Sequence, residues 1–405
     1  MSGCGDSPSR AGGRPEQLRA RECVLLKHGE IFLKGRNRRS FEERLYANLH
    51  DALRGVGGST WLKNAQNVTV LGGEVPLDRL VERARRVMGF NVLQPAVRVP
   101  STADDILAAA VETVRAAAGG ERRSFAVRVR RRNKSFPLTS VELAAAVGTR
   151  VQRELPLPVD LEDPDVELRI EIDRGESYLS TERIPGQCGL PVGSSGRALV
   201  LLSGGYDSPV AAYRAMRRGL HCDFLHFTGA PYTNPASAYK AYGLVRLLNR
   251  YQPAGQLYSI PLGAAQKELA RSGAGKHQVV AQRRLMVRAA CALAARLGSE
   301  ALVSGDSLGQ VSSQTLTHLR TVEDAASLPL LRPLLGWEKE EIIAEARRLG
   351  THEVSALPDE DCCRLLAPEK AATRAEPAHL AAVERRAGAA ELVPELLARA
   401  TCLTS

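Results

Sequence analysis

The sequence predicts an α/β multidomain protein whose C-terminal half is a doubly wound parallel sheet. Three observations carry this expectation. Short apolar runs at 199–202, 222–227, 257–261 and 301–304 alternate with helical patterns that include 278–297 and 338–349. Such alternation builds a parallel sheet with helices on both faces. The first run leads directly into the small-residue turn Ser203-Gly204-Gly205-Tyr206-Asp207-Ser208 and then a helical stretch, 209–218. Upstream, over residues 22–183, the apolar period alternates between that of strands and that of helices, as in small mixed α+β units.

Residues 23–27 read as a strand, and Phe41, Leu45, Leu49 and Leu53 mark one face of a helix, with Ser40 and Glu43 in a capping-box pattern. A strand at 68–71, a helix at 78–88 and a strand at 92–99 complete a small α+β unit of ferredoxin-like character. A helix at 103–118 opens the next unit. Phe125, Val127 and Val129 then alternate with Arg128 and Arg130, so one strand face is apolar and the other basic. A helix at 140–155 and a strand at 166–172 follow, and the glycine-rich stretch 185–196 reads as a linker.

The chain has 405 residues, 44% of them hydrophobic, enough for two or three packed domains. Its formal net charge of +10 points to a polyanionic partner. No apolar run approaches the roughly 20 residues of a membrane helix. Residues 1–19 are polar, lack a signal-peptide core and read as a disordered lead-in. The eight cysteines follow no disulfide-scaffold spacing, so a cytoplasmic location is expected.

The turn at 203–208 is built to hold phosphate. Gly204 and Gly205 let backbone approach an anion closely, and Pro209 suits the first turn of a helix whose free N–H groups and dipole attract negative charge. It is not the loop of kinases and GTPases, which needs a lysine and a hydroxyl at fixed spacing. The nearest match to that motif, Gly273-Ala274-Gly275-Lys276-His277, lacks the spacing. The form SGGxDS resembles the PP-loop ATP pyrophosphatases, which cleave ATP between the α- and β-phosphates and pass AMP to an oxygen.

Further segments extend the likeness: GEIFLKGRNRRSFEERL from Gly29, SFAVRVRRRNKSFPLTSVEL from Ser124, HFTGAPYTN from His226, SGDSLGQVSSQTL from Ser304, RPLLGWEKEEI from Arg332 and DEDCC from Asp359. From about residue 24 to 366 the chain resembles the tRNA 4-thiouridine synthetases, the ThiI-type tRNA sulfurtransferases. The resemblance implies a ferredoxin-like domain over 20–77, a THUMP RNA-binding domain over 78–184, a linker over 185–196 and a PP-loop (adenine nucleotide α-hydrolase-like) domain over 197–375, with 376–405 as a tail. The chain looks like the short form without a rhodanese domain. Tyr206, Cys188 and Asp306 stand where Ile or Phe, Gly and Glu are expected.

The implied reaction is adenylation of O4 of uridine 8 in tRNA by ATP, followed by displacement of AMP by persulfide sulfur. Ser203, Gly204, Gly205 and Ser208 would hold phosphates, with Asp207 as a Mg²⁺ ligand or loop organiser. By resemblance Leu201, Leu202, His226, Phe227, Arg283, Gly305 and Gln314 contact ATP. Lys339, flanked by Glu338, Glu340 and Glu341, reads alone as a solvated helix start; the motif assigns it to adenylation. Cys362 is the expected persulfide carrier, with Cys363 its neighbour and Cys188 an alternative resolving thiol. Cys4, Cys23, Cys222, Cys291 and Cys402 are expected to be structural or tail residues.

Arg128, Arg130, Arg131, Arg132 and Lys134, beside Phe136, form a basic cluster, with Arg36, Arg38 and Arg39 a second, both expected to contact the tRNA backbone. The expected donor is a cysteine desulfurase, and a homodimer is compatible with the sequence. Competing readings are an adenylating amidotransferase or ligase of the PP-loop class, and a non-catalytic tRNA-binding protein. The appended basic units and Cys362-Cys363 weigh against the first, and the intact phosphate loop against the second. A link to thiamine thiazole synthesis is a family trait the sequence does not support directly.

Overall fold

The computed structural model describes residues 22–65, 67–358, 362, 366–368, 372 and 374–403. The expected lead-in at 1–19 lies outside them. The described residues divide into two compact units: those within 22–29, Leu53–Arg85 and Phe90–Gly186 form the first, and those within Glu30–Ala52, Arg86–Gly89 and 187–403 the second.

The first unit is one sheet of β1 (Glu22–His28), β2 (Thr60–Ala65), β3 (Val68–Gly73), β4 (Phe90–Pro100), β5 (Phe125–Arg131), β6 (Val166–Ile172), β7 (Glu176–Ser180) and β8 (Ile184–Pro185). The order is β2-β3-β1-β4-β7-β6-β5, with β8 on β4. Strand β4 pairs with β1 along one edge and, through Val97–Pro100, with β7 on the other. A continuous sheet therefore runs through what the sequence divides at 77 and 78. Strands β5 and β6 are parallel and joined across the helix Ser140–Glu154. That helix and Ala103–Ala118 cover the face carrying Phe125, Leu168 and Ile170. Thr139 and Glu142 form a reciprocal capping box at the first, and Thr102 caps the second by accepting from the Asp105 N–H.

The capping box expected at Ser40 is absent. The helix Arg38–Leu53 begins two residues earlier, continuing from a 3₁₀ stretch kinked at Gly35, φ 51°. Ser40 therefore lies inside the helix, and Glu43 instead accepts from Arg39 Nε at 2.9 Å. Asn48 of this helix donates to the Val192 carbonyl at 3.0 Å, which fixes it within the second unit.

The second unit carries β9 (Arg197–Leu201), β10 (His221–Thr228), β11 (Leu257–Pro261), β12 (Ala301–Val303), β13 (Leu330–Leu331) and β14 (Thr401–Leu403). Their order is β13-β12-β9-β10-β11-β14, parallel throughout except for β14. Alternate residues enter different cores. Leu199, Leu225 and Leu302 pack with the helix Gln278–Leu297, whereas Val200, Phe224 and Val303 pack with the helices Asp207–Arg217, Ala236–Leu248 and Lys339–Leu349. Both faces are thus covered, as the sequence predicts. The chain winds outward from β9 to β10 and β11, then returns to place β12 on β9's other side. The switch point between β9 and β12 is where open α/β sheets bind ligands.

The segment read as a tail is part of this domain. It carries the helices Pro377–Arg386 and Ala389–Ala398, and β14 closes the sheet against β11. Leu380, Val383, Leu396 and Leu397 bury in the core of the Gln278–Leu297 face, and an ion pair adds to them. Glu384, 3% exposed, accepts from Arg284 Nε and Nη2 at 2.8 and 3.0 Å and from Arg288 Nη2 at 2.9 Å, and Arg284 is fully buried. Burial opposes ionisation of Glu384, but hydrogen bonds from Arg284 and Arg288 hold its carboxyl below the usual range. That stabilisation is therefore present at neutral pH and lost as pH falls through the depressed value. Glu384→Gln leaves the buried Arg284 with Asp324, 2.9 Å from its Nη1, as its remaining anion, and is expected to cost about 1–3 kcal/mol in urea unfolding at neutral pH. A cost no larger than that of a surface substitution would mean the pair does not anchor the segment.

Candidate active site

The Ser203–Ser208 loop leaves β9 at the switch point. Its serines hold the loop together: the Ser208 hydroxyl donates to the Ser203 carbonyl at 3.2 Å and accepts from the Ser203 N–H at 2.9 Å, while the Gly205 N–H donates to Ser203 Oγ at 3.3 Å. Ser208 is 3% exposed in the first turn of the helix that starts at Asp207. Asp207 is thus inside the helix and Tyr206 occupies the cap, without a capping side chain. Gly305, just past β12, crosses this helix start closely. A Cβ there would lie 2.6 Å from Ser208 N and 2.8 Å from the Asp207 carbonyl carbon. Only glycine fits, so the two switch-point loops are pressed together by backbone geometry.

Lys339 Nζ is 2.7 Å from Asp207 Oδ1, and Gln310 Nε2 donates to Oδ2 at 3.3 Å. Lys339 opens its helix, where the dipole disfavours a cation. The neighbouring acids do not explain it, because Glu338 and Glu341 are engaged in a capping box at that helix end. Its position is explained by Asp207. Lys339 Nζ also sits 5.6 Å from the centroid of the Tyr206 ring, so Tyr206 forms part of the lysine's surroundings.

Asp306, 4% exposed, takes charge from Arg283 Nη2 and from Arg332, whose Nε lies 3.5 Å away, and hydrogen bonds from Ser304 Oγ at 2.8 Å and Gln314 Nε2 at 3.4 Å. Burial opposes its ionisation, but Arg283, Ser304 and Arg332 hold the carboxyl below its ordinary value. Arg283 also donates to the Ser313 carbonyl at 3.1 Å. Its guanidinium, expected to reach a phosphate, is engaged here in holding the 304–314 loop.

His226 is likewise internal. Its Nδ1 is 2.9 Å from the Leu202 carbonyl, which can only accept, so that nitrogen carries the proton, and Ser237 Oγ lies 3.2 Å from Nε2. It ties the end of β10 to the phosphate loop's root. Leu202 and Phe227 are buried in opposite cores, and Leu201 is partly buried.

Cys362 is 7% exposed and packs in the core of the Gln278–Leu297 face, its carbonyl accepting from Gln266 Nε2 at 2.7 Å. The Lys339 helix packs on the other face. Cys363 and residues 359–361 lie outside the described residues. Burial drives the Cys23 thiol up to about 12 and raises that of Cys222 too, consistent with structural roles. Cys188 adopts φ 57°, a left-handed conformation that suits the glycine expected there.

Within the first unit the basic strand is divided in use. Arg131 Nη1 donates to the carbonyls of Phe136 and Leu138, at 3.2 and 2.8 Å, and Arg132 pairs with Glu171, which Lys27 also contacts. These two arginines, expected as tRNA contacts, hold the fold. Phe136, 6% exposed, is core rather than a stacking surface. Arg128 is exposed but touches Glu167, and Arg130 and Lys134 are exposed. Arg36 is exposed and Arg38 pairs with Glu42, both in the second unit. Alanine at Arg130 and Lys134 is expected to weaken tRNA binding and reduce the slope of log affinity against log salt by about one per contact. Arg132→Ala should instead lower the melting temperature. An unchanged salt slope in the first pair would show those cations to be merely solvated.

Sequence reasoning missed Gln310, Arg332 and Ser355, whose hydroxyl donates to the Gly205 carbonyl at 3.2 Å. The first two lie in segments singled out as motifs, SGDSLGQVSSQTL and RPLLGWEKEEI, but nothing in their spacing marked them.

A Ser/Gly loop at the switch point, closed against Gly305 and faced by a lysine–aspartate pair, defines a PP-loop nucleotide-binding domain. The family pattern described as "Thiamine biosynthesis protein (ThiI)" matches residues 193–388, the "THUMP domain" pattern 100–182 and the "ThiI ferredoxin-like domain" pattern 23–92. A "Probable tRNA sulfurtransferase" of Nocardia farcinica is 55% identical over 94% of each chain. Another, of Thermus thermophilus, is 41% identical over 94% of this chain and 93% of its own. The crystal structure of a 4-thiouridine synthetase–RNA complex with bound ATP superposes with a TM-score of 0.86 at 28% identity, covering 94% of this chain and 99% of that one. The chain belongs to the tRNA sulfurtransferase family.

Proposed function

We propose that this protein is an ATP-dependent tRNA sulfurtransferase that adenylates O4 of uridine 8 and replaces that oxygen with persulfide sulfur, giving 4-thiouridine. The observation that carries the reading is the Lys339–Asp207 pair at the mouth of the phosphate loop. A uracil oxygen is a poor leaving group, and joining it to AMP turns it into a phosphate that sulfur can displace by addition and elimination. Ser203, Gly204, Gly205 and Ser208 hold the triphosphate, Lys339 offsets negative charge developing at the α-phosphate, and Gly305 lets the loop after β12 close against the helix that starts at Asp207.

Mg²⁺ fits as an ion that arrives with ATP. Among the described residues no group of three or more potential ligands is arranged for a metal. Mg²⁺ commonly takes one or two carboxylates plus substrate phosphates. Asp207 would hold it on exchanging its present partners; the ion's contribution is to neutralise phosphate charge.

Cys362 carries the persulfide, loaded by a cysteine desulfurase. Its terminal sulfur bonds to C4 as the C4–O4 bond breaks and AMP leaves. The remaining S–S bond is then cleaved with two electrons from a thiol, Cys363 or Cys188, or from an external reductant. The fold provides Cys362 with a buried seat, so loading requires local opening of its segment. No helix among the described residues is long and apolar enough to cross a membrane.

Purified protein mixed with ATP and unmodified tRNA tests the nucleotide step. Pyrophosphate release that requires tRNA, and disappears when uridine 8 is replaced by cytidine, is the expected result. Release of equal size without tRNA would contradict it.

A further inference from the structure

Gln310 lies in the loop after β12, and its side chain meets Asp207 Oδ2 at 3.3 Å while Lys339 holds Oδ1. A carboxylate only accepts, so the end of the amide facing it is the nitrogen. The carbonyl oxygen on the same carbon is buried and has no hydrogen-bond partner among the described residues. A buried acceptor without a donor works against the fold, and stability alone gives no reason to keep one.

Gln314 repeats the arrangement four residues on. It donates to Asp306 at 3.4 Å, and its Oε1 is also buried without a partner. Each glutamine thus clamps a carboxylate of the switch-point site with its nitrogen and leaves its oxygen unused. Gln266 and Gln278 also carry buried amide oxygens of this kind, so the oxygen alone identifies no ligand; what sets Gln310 apart is that its nitrogen lies on the same carboxylate that Lys339 holds.

We infer that Gln310 is a positioning residue for the nucleotide step: its nitrogen fixes the Asp207 carboxylate toward Lys339. The inference rests on the assignment of Asp207 and Lys339 to adenylation. It goes beyond that assignment because Gln310 acts through Asp207, not as a phosphate contact.

Two substitutions separate positioning from packing. Gln310→Glu keeps the shape and an acceptor oxygen but loses the donor and sets a second carboxylate against Asp207. Gln310→Leu removes both polar groups. Pyrophosphate release with ATP and tRNA gives kcat and KM for ATP, with tRNA affinity and melting temperature measured alongside. Both variants are expected to lose about tenfold to a hundredfold in kcat, the range for a hydrogen bond to a charged group. KM for ATP, tRNA affinity and melting temperature should stay near wild type. A wild-type kcat in Gln310→Glu overturns the inference, as does a loss in both variants fully accounted for by unfolding. Asp207→Ala in the same assay distinguishes the levels: if it releases pyrophosphate normally, the underlying assignment falls as well, whereas its failure beside normal Gln310 variants removes Gln310 alone.

Discussion

Asp207→Ala is expected to lower tRNA-dependent pyrophosphate release by at least about 10²–10³-fold, the scale on which single electrostatic groups act in transition states. The carboxylate sits in the first turn of the helix that the phosphate loop feeds, and it holds Lys339 at 2.7 Å. Removing it frees the lysine from its partner and removes the acid that would meet a metal arriving on ATP. Lys339→Ala should fall to a similar level, and the double variant should be little worse than either, because groups acting as a unit are not additive. Binding of tRNA should stay intact, since its expected contacts, Arg36, Arg128, Arg130 and Lys134, all lie outside the phosphate loop. Filter binding measures that part. Normal release by Asp207→Ala would remove the residue from the nucleotide step.

Cys362→Ser should do the reverse, keeping pyrophosphate release while losing 4-thiouridine formation completely. A serine hydroxyl fills nearly the same volume and keeps the carbonyl that accepts from Gln266. What it lacks is the nucleophilic sulfur that forms and carries a persulfide. Cys363→Ser and Cys188→Ser should retain at least part of the activity. Incubating each variant with a desulfurase and cysteine, then locating the added sulfur by peptide mass, reads the assignment. Persulfide on Cys363, with Cys362→Ser fully active, would overturn it.

The parallel sheet was legible because its central strands are apolar on both faces: Leu199 and Val200 enter different cores. The amphipathic helices at 103–118 and 278–297 were equally plain. Strand β2 was not, since its side chains are partly exposed and its sequence, TWLKNA, does not alternate. Strand β14 has three residues and is strand only because β11 offers its open edge. The final helices looked like a tail because what anchors them, the core that takes Leu380, Val383, Leu396 and Leu397 and the buried Arg284 that Glu384 meets, lies far away along the chain.

For the site, the loop and the motif lysine were readable, as charge and glycine spacing carry direct chemical meaning. Partnerships were not. Arg283 and Arg132 look like ligands for phosphate in one dimension, and in three they meet Asp306 and Glu171. Nothing in the sequence distinguishes Gln310 from any other glutamine until Asp207 lies against it.

Nucleoside mass analysis of bulk tRNA from a strain lacking this protein tests the central claim most directly. The expected result is that 4-thiouridine disappears, that wild-type protein restores it, and that the Asp207→Ala and Cys362→Ser variants do not. Unchanged 4-thiouridine in the deletion strain, with no second copy of the enzyme present, would contradict it.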